Sequence, residues 1–246
     1  MFLTIITILY VVIFCIISFF MLPLTFFIRK ANTQKGDMIS LHFVQWGLKT
    51  VVFFAGIHVT IRGKENIPKD KSVLYIGNHR SIFDIVISYT QVPGCTGYIS
   101  KKSIGKLPVI SIWMKRLYCL FMDRNDMKQS LQVILKSIEQ IKNGISICIY
   151  PEGTRNKGDE PVQPFHAGSF KPAEKTGCMI VPMAITYDKP VFEEHLPRLY
   201  RTKVILSYAP PIDTKNLSKD EKKALPEQVR SVICDMYLEN KKDLGL

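Results

Sequence analysis

No C-x-x-C pair occurs anywhere in the 246-residue sequence. The six cysteines, Cys15, Cys95, Cys119, Cys148, Cys178 and Cys234, are scattered, and most lie inside apolar runs. That argues against a zinc ribbon or a disulfide frame and for reduced core thiols in a cytosol-facing domain. The five histidines, His42, His58, His79, His166 and His195, show no metal-ligand spacing, so no metal is expected. Internal repeats, low-complexity tracts and long linkers are also missing. Between Met1 and Ile28 there is no charged side chain at all.

That uncharged run exceeds the ~20 residues needed to span a bilayer core. It has neither the basic region nor the A-x-A-like site of a cleaved signal peptide. Arg29, Lys30 and Lys35 follow it, and the positive-inside rule then places the rest of the chain on the cytoplasmic side. A second stretch, Met38 to His58, mixes apolar residues with Asp37, His42, Gln45 and Lys49, as in an amphipathic helix lying on the interface with Trp46 at headgroup level. Pro23 permits a kink, so the two segments could form a hairpin dipped into one leaflet as well as a full span. Both geometries remain open. The expected division is a membrane-anchoring helical segment over residues 1–58 and one domain over 59–246.

The formal net charge of +12 fits nucleic acid, an anionic membrane surface, an acidic protein or a phosphorylated substrate, and does not choose among them. Beyond the anchor, short β-branched runs alternate with helical patterns. Strands are expected at Ile57–Arg62, Ser72–Gly77, Cys95–Ser100, Tyr118–Met122, Ile145–Tyr150, Met179–Thr186 and Lys203–Tyr208. Those around Val73–Ile76 and Ile145–Ile149 are almost wholly apolar, as in strands covered on both faces. Asp126–Lys142 carries apolar residues at helical spacing and is stopped by Asn143-Gly144, and Ser218–Lys242 reads as a charged final helix despite Pro226. The fold class expected is α/β, with a mostly parallel central sheet flanked by helices and preceded by a two-helix anchor.

Chemistry concentrates in Asn78-His79-Arg80-Ser81-Ile82-Phe83-Asp84, at the carboxyl end of a strand, where open α/β sheets place their sites. On a continuous helix His79 and Asp84 would lie about 140° apart. They meet only if His79 sits in the turn and Asp84 in the first helical turn. Such a pair is a general base with an orienting carboxylate. The same letters also spell a helix cap, S-x-x-D, with a surface histidine. Tyr150-Pro151-Glu152-Gly153-Thr154-Arg155 reaches the same sheet edge. Gly153 allows a left-handed turn and Arg155 offers a planar fork for a phosphate, although an ordinary Pro-Gly turn with a solvated ion pair fits as well. Arg124 follows another strand, Lys101 and Lys102 a third, and His166 sits in a Gly-containing loop.

Together these residues carry a resemblance. NHRSIFD resembles the NHx4D motif of glycerolipid acyltransferases, FMDR (Phe121–Arg124) their second motif, YPEGTR their third and Ile180–Ile185 their fourth, in family order over about Ser72 to Thr186. The N-terminal segments resemble the two-helix anchor of the bacterial 1-acylglycerol-3-phosphate acyltransferases. The resemblance implies His79 as base and Asp84 as its partner. It implies Lys101, Arg124, Glu152, Gly153, Thr154 and Arg155 as the acceptor site, and Pro182 as the floor of an acyl site. Tyr150 stands where Phe is usual, and Met183 where Val is frequent.

The implied reaction moves an acyl group from an acyl carrier protein or coenzyme A thioester to the sn-2 hydroxyl of lysophosphatidic acid, without an acyl-enzyme. No Ser-His or Cys-His nucleophile pair is visible. The implied partners are membrane lipids, lysophosphatidic acid and the thioester donor, with no cofactor beyond that donor and no nucleic acid. The implied location is the membrane, with the domain on its cytoplasmic side. An acyltransferase using glycerol-3-phosphate or another lysophospholipid is the alternative, since the shared motifs do not fix the acceptor headgroup. A non-catalytic basic module tethered to the membrane is the remote one.

Overall fold

The computed structural model describes residues 1–246. Two helices, α1 (Phe2–Ala31) and α2 (Thr33–Phe54), are joined at Asn32, whose side chain caps α2 by accepting from the Lys35 amide at 2.9 Å. The turn is therefore at Asn32 rather than Pro23, and α1 runs through Pro23 without a break. The helices pair as an antiparallel hairpin, with Arg29 beside Gly36 and Phe14 beside Gly47. A Cβ on Gly36 would lie 2.4 Å from the Arg29 Cα, so only glycine permits that approach.

Seven strands follow: β1 (Ile57–Arg62), β2 (Leu74–Gly77), β3 (Thr96–Lys101), β4 (Leu120–Met122), β5 (Ser146–Ile149), β6 (Ile180–Thr186) and β7 (Thr202–Tyr208). They form one sheet in the order β1-β7-β6-β2-β5-β3-β4, parallel at every pairing except β6 with β7. All seven expected strands are present, within two residues at either end. The intervening helices are α3 (Phe83–Tyr89), α4 (Ile110–Arg116), α5 (Met127–Lys142), α6 (Lys171–Thr176), α7 (Lys189–Phe192) and α8 (Lys219–Asp243). Asp126 caps α5 by accepting from the Gln129 amide at 3.0 Å, and Ser218 with Glu221 forms a capping box on α8.

The apolar strands alternate between two cores. Val73, Tyr75, Cys148, Val181 and Met183 face one side, packing with Leu41 of α2 and with Phe83 and Ile87 of α3. Leu74, Ile76, Ile147, Ile149 and Ile180 face the other, against Ile141 of α5, Ala173 of α6 and Val229 of α8. Both faces of the sheet are thus covered, as near-continuous apolar strands require.

The hairpin is fastened to this domain. Arg29 pairs with Asp37 at 2.6 Å and donates to the Tyr118 hydroxyl at 3.1 Å, and Tyr118 in turn donates to Asp37. Arg116 donates to Thr25. Gln45 donates to the carbonyls of Val92 at 2.8 Å and Tyr89 at 3.1 Å, while at the far end Thr4 accepts from the Leu199 amide at 2.9 Å. α2 therefore corrects the interfacial-helix expectation. It starts five residues earlier, its polar Asp37 and Gln45 point into protein, and His58 belongs to β1. The longest run of hydrophobic surface left to solvent is on α1, where Phe2, Ile5, Ile8, Phe19, Phe20 and Phe27 are exposed, and α2 adds Trp46 and Phe53.

Candidate active site

Because β2, β5, β3 and β4 are parallel neighbours, their carboxyl ends open on one edge. Gly77 ends β2, and Asn78 extends its pairing with β6 by side chain. The Asn78 amide donates to the Ile185 carbonyl at 2.9 Å and accepts from the Ile185 amide at 2.8 Å. This fixes the turn that carries His79. Asp84 lies in the first turn of α3, and its Oδ2 stands 2.7 Å from His79 Nδ1. The same oxygen accepts from the amides of Arg80 at 2.7 Å and Ser81 at 2.8 Å. The helix cap and the histidine partner are one arrangement.

With Nδ1 engaged, Nε2 is the free nitrogen of His79, which lines a cavity of about 880 Å³. Its ring stacks on Tyr150, centroids 4.7 Å apart. The Tyr150 hydroxyl is turned away, 3.0 Å from Ser88 Oγ, which also accepts from Tyr98. Burial lowers His79 to about 4; Arg155 and Arg124 push the same way, while the negative charge of the buried Asp84–Asp188 pair and Glu193 oppose them. The imidazole is therefore neutral at physiological pH and able to accept a proton.

Of the expected site residues, His79, Lys101, Arg124, Thr154 and Arg155 share this cavity. Lys101 ends β3 and Arg124 follows β4. With Lys102, Lys106 and Lys157 the wall holds six cations against one carboxylate, Asp123. Glu152 and Gly153 are not on the wall. Glu152 is buried, and its Oε1 accepts from the His79 amide at 2.9 Å, with burial raising its carboxyl to about 7. It tethers the two turns to each other instead of facing an acceptor. Gly153 takes a φ of 77°, the left-handed conformation its turn requires, with the His166 ring against it. Pro182 lies inside β6, paired with Ile76 and away from the cavity, so it belongs to the scaffold.

Three residues hold the site together in ways the sequence did not assign. Glu193, just past α7, accepts from the Ser81 hydroxyl at 2.7 Å, the Ile82 amide at 2.8 Å and Arg155 at 2.8 Å. Arg155 is thus already paired, and an anionic ligand has to compete with Glu193 for it. Arg80 is buried and donates to the carbonyls of Gly158 at 2.8 Å and Glu160 at 2.5 Å, holding the loop beyond the second turn. Asn156 donates its amide to the His79 carbonyl at 2.6 Å. These contacts join residues between 38 and 112 positions apart, and only the folded sheet edge brings them together.

Residues 58–186 match the family model described as Acyltransferase. A 1-acyl-sn-glycerol-3-phosphate acyltransferase from Borreliella burgdorferi is 31% identical over 186 residues, covering 76% of this chain and 74% of that protein. Its Escherichia coli counterpart is 28% identical over 191 residues, covering 77% of each. The crystal structure of the 1-acyl-sn-glycerophosphate (LPA) acyltransferase PlsC from Thermotoga maritima superposes with a TM-score of 0.80 at 26% identity, over 97% of this chain and 95% of that one. The likeness therefore extends through the hairpin as well as the sheet.

Proposed function

The chain belongs to the 1-acyl-sn-glycerol-3-phosphate acyltransferase family, and from that premise we propose that it moves a fatty acyl group from a thioester to the sn-2 hydroxyl of lysophosphatidic acid, giving phosphatidic acid. The observation that carries this reading is the neutral His79, held by Asp84 at 2.7 Å on the wall of a strongly cationic cavity. His79 Nε2 takes the hydroxyl proton as the oxygen attacks the thioester carbonyl. The C–O bond forms, the C–S bond breaks, and the departing thiolate recovers the proton from the imidazolium. No protein hydroxyl or thiol is hydrogen-bonded to His79, which favours direct transfer over an acyl-enzyme. The amides of Thr154 and Arg155 donate to no protein acceptor and sit in the turn beside His79, which makes them the available oxyanion donors.

Lys101, Arg124 and Arg155 supply charge for the acceptor's phosphate. The remaining lysines of the wall suit the phosphate of either donor, coenzyme A or an acyl carrier protein. α1 has 30 residues, about 45 Å of helix, and lies along α2, which is itself packed on the domain. A full crossing would drag the domain into the bilayer. The hairpin therefore dips its apolar α1 face into one leaflet, and Arg29, Lys30 and Lys35 at its turn favour the cytoplasmic side.

The test is a transfer assay on purified protein in phosphatidylcholine vesicles, with acyl carrier protein and coenzyme A thioesters offered in turn. Lysophosphatidic acid, glycerol-3-phosphate and lysophosphatidylcholine are compared as acceptors. Phosphatidic acid should form and His79→Ala should abolish it. Near-wild-type transfer by that variant would overturn the mechanism, and preference for another acceptor would overturn the substrate.

A further inference from the structure

Asp188 closes the corner between β6 and α7. Its side chain is fully buried, and neither carboxyl oxygen receives a hydrogen bond from any protein N–H or hydroxyl. Asp84 shows a related asymmetry. Its Oδ2 accepts from three N–H groups, whereas its Oδ1 is buried and receives none of them. Asp84 Oδ1 and both oxygens of Asp188 are thus buried together without a donor, and the two carboxyl groups are close enough that each acts on the other. Two ionised carboxylates cannot stay that close in a dry site, because neither carries a hydrogen and their charges repel. One proton must be shared.

The donors decide where that proton resides. Three N–H groups on Oδ2 stabilise the charged form of Asp84, while Asp188 has no donor at all. We propose that Asp188 is a positioning residue for the reaction, a neutral carboxylic acid whose O–H donates to Oδ1 of Asp84. It fixes the plane of the Asp84 carboxylate, so that Oδ2 stays aligned with the Nδ1–H of His79 and Nε2 stays turned to the cavity. Burial, and then the Asp84 charge, hold the Asp188 carboxyl far above the usual carboxylate range. The groups facing it are Asp84 on α3, His79 on the turn after β2, Glu193 beyond α7 and Tyr237 on α8. The two carboxylates among them oppose its ionisation. The preceding residue, Tyr187, is held at a φ of 68°, a conformation a non-glycine residue keeps only when its surroundings impose it.

The proposal rests on His79 being the base, and two variants with two readouts separate it from that reading. In Asp188→Asn the side-chain amide can still donate to Oδ1, whereas in Asp188→Leu nothing can. The infrared spectrum of the wild-type protein at pH 7 should show the carbonyl stretch of a protonated carboxyl that survives in Glu152→Gln and disappears in Asp188→Asn. Asp188→Asn should keep kcat within about threefold of wild type, and Asp188→Leu should lose roughly tenfold or more in kcat with an unchanged KM for lysophosphatidic acid. A wild-type spectrum without that band overturns the proposal, as does full kcat in Asp188→Leu. If Asp188→Leu does not fold, the band and the Asn variant decide alone. Loss of the His79 mechanism would leave the band in place, so the two failures are distinguishable.

Discussion

The carboxylate of Glu152 accepts a hydrogen bond from the main-chain amide of His79 at 2.9 Å, tying the turn after β5 to the turn after β2. In the proposed mechanism that contact holds the base in position, away from the reactants. Glu152→Gln keeps an oxygen acceptor, so it should retain most activity. Glu152→Ala leaves the amide of His79 without its partner and should cost about 1–3 kcal/mol of stability, with a clear loss of kcat. Thermal unfolding and initial rates on the two variants check this, and equal damage from both would sink it.

Arg155 is held by Glu193 at 2.8 Å on the cavity wall. Removing its guanidinium should weaken acceptor use by about 1.5–3 kcal/mol, roughly ten- to a hundredfold, mainly in KM. Steady-state kinetics on Arg155→Ala with lysophosphatidic acid measures the effect. A kcat defect at unchanged KM would assign Arg155 to the chemical step instead.

The state of His79 has a direct spectroscopic signature. Burial and the two arginines lower its pKa from the ordinary 6.5 to about 4, so the neutral form persists well into acid. Titrating the ring by NMR in histidine-labelled protein should place its midpoint near 4. In Arg155→Ala one positive neighbour is gone, protonation becomes easier, and the midpoint should move up. A downward shift would contradict the charge assignment.

Tyr150 stacks on His79 with its ring and hydrogen-bonds Ser88 with its hydroxyl at 3.0 Å. Tyr150→Phe keeps the stack and loses one buried hydrogen bond. It should lower stability by about 1 kcal/mol, read from denaturant unfolding, and leave the rate close to wild type. A collapse in kcat would mean that the hydroxyl takes part in the chemistry.

At the hairpin, a Cβ on Gly36 would meet the Arg29 backbone at 2.4 Å. Gly36→Ala should therefore force the helices apart and cost about 1–3 kcal/mol, as overpacking does. Its partition onto vesicles should hardly change, because the exposed face of α1 is untouched. Co-sedimentation with vesicles and thermal unfolding, run together, distinguish the two effects.

The sheet was legible because its strands are short, β-branched and bounded by turn residues, and because Val73–Ile76 and Ile145–Ile149 are almost wholly apolar. The cavity was legible where a residue ends a strand, as Lys101 does, or lies in the turn just after one, as His79, Arg124 and Arg155 do. Orientation was not. YPEGTR reads the same whether Glu152 faces a ligand or the amide of His79, and NHRSIFD could not reveal that Asp84 Oδ2 serves a helix cap and an imidazole together. Glu193 and Asp188 have no periodicity or motif to mark them. Their roles arise because the chain around α7 returns to the turn before α3, where Glu193 accepts from Ser81 and Ile82 across about 110 residues of chain. The extent of α2 was missed for a local reason: Asn32 caps it early, and its polar face seeks protein instead of headgroups.

The fastening of the hairpin at both ends, by Arg29, Asp37 and Tyr118 at one and by Thr4 at the other, makes the leaflet surface a ruler. With α1 seated among the acyl chains of one leaflet, as proposed above, the height of His79 above them would be set. A lysolipid acceptor would then present its glycerol at that height without leaving its own layer, and the thickness of the bilayer beyond the first leaflet would not enter.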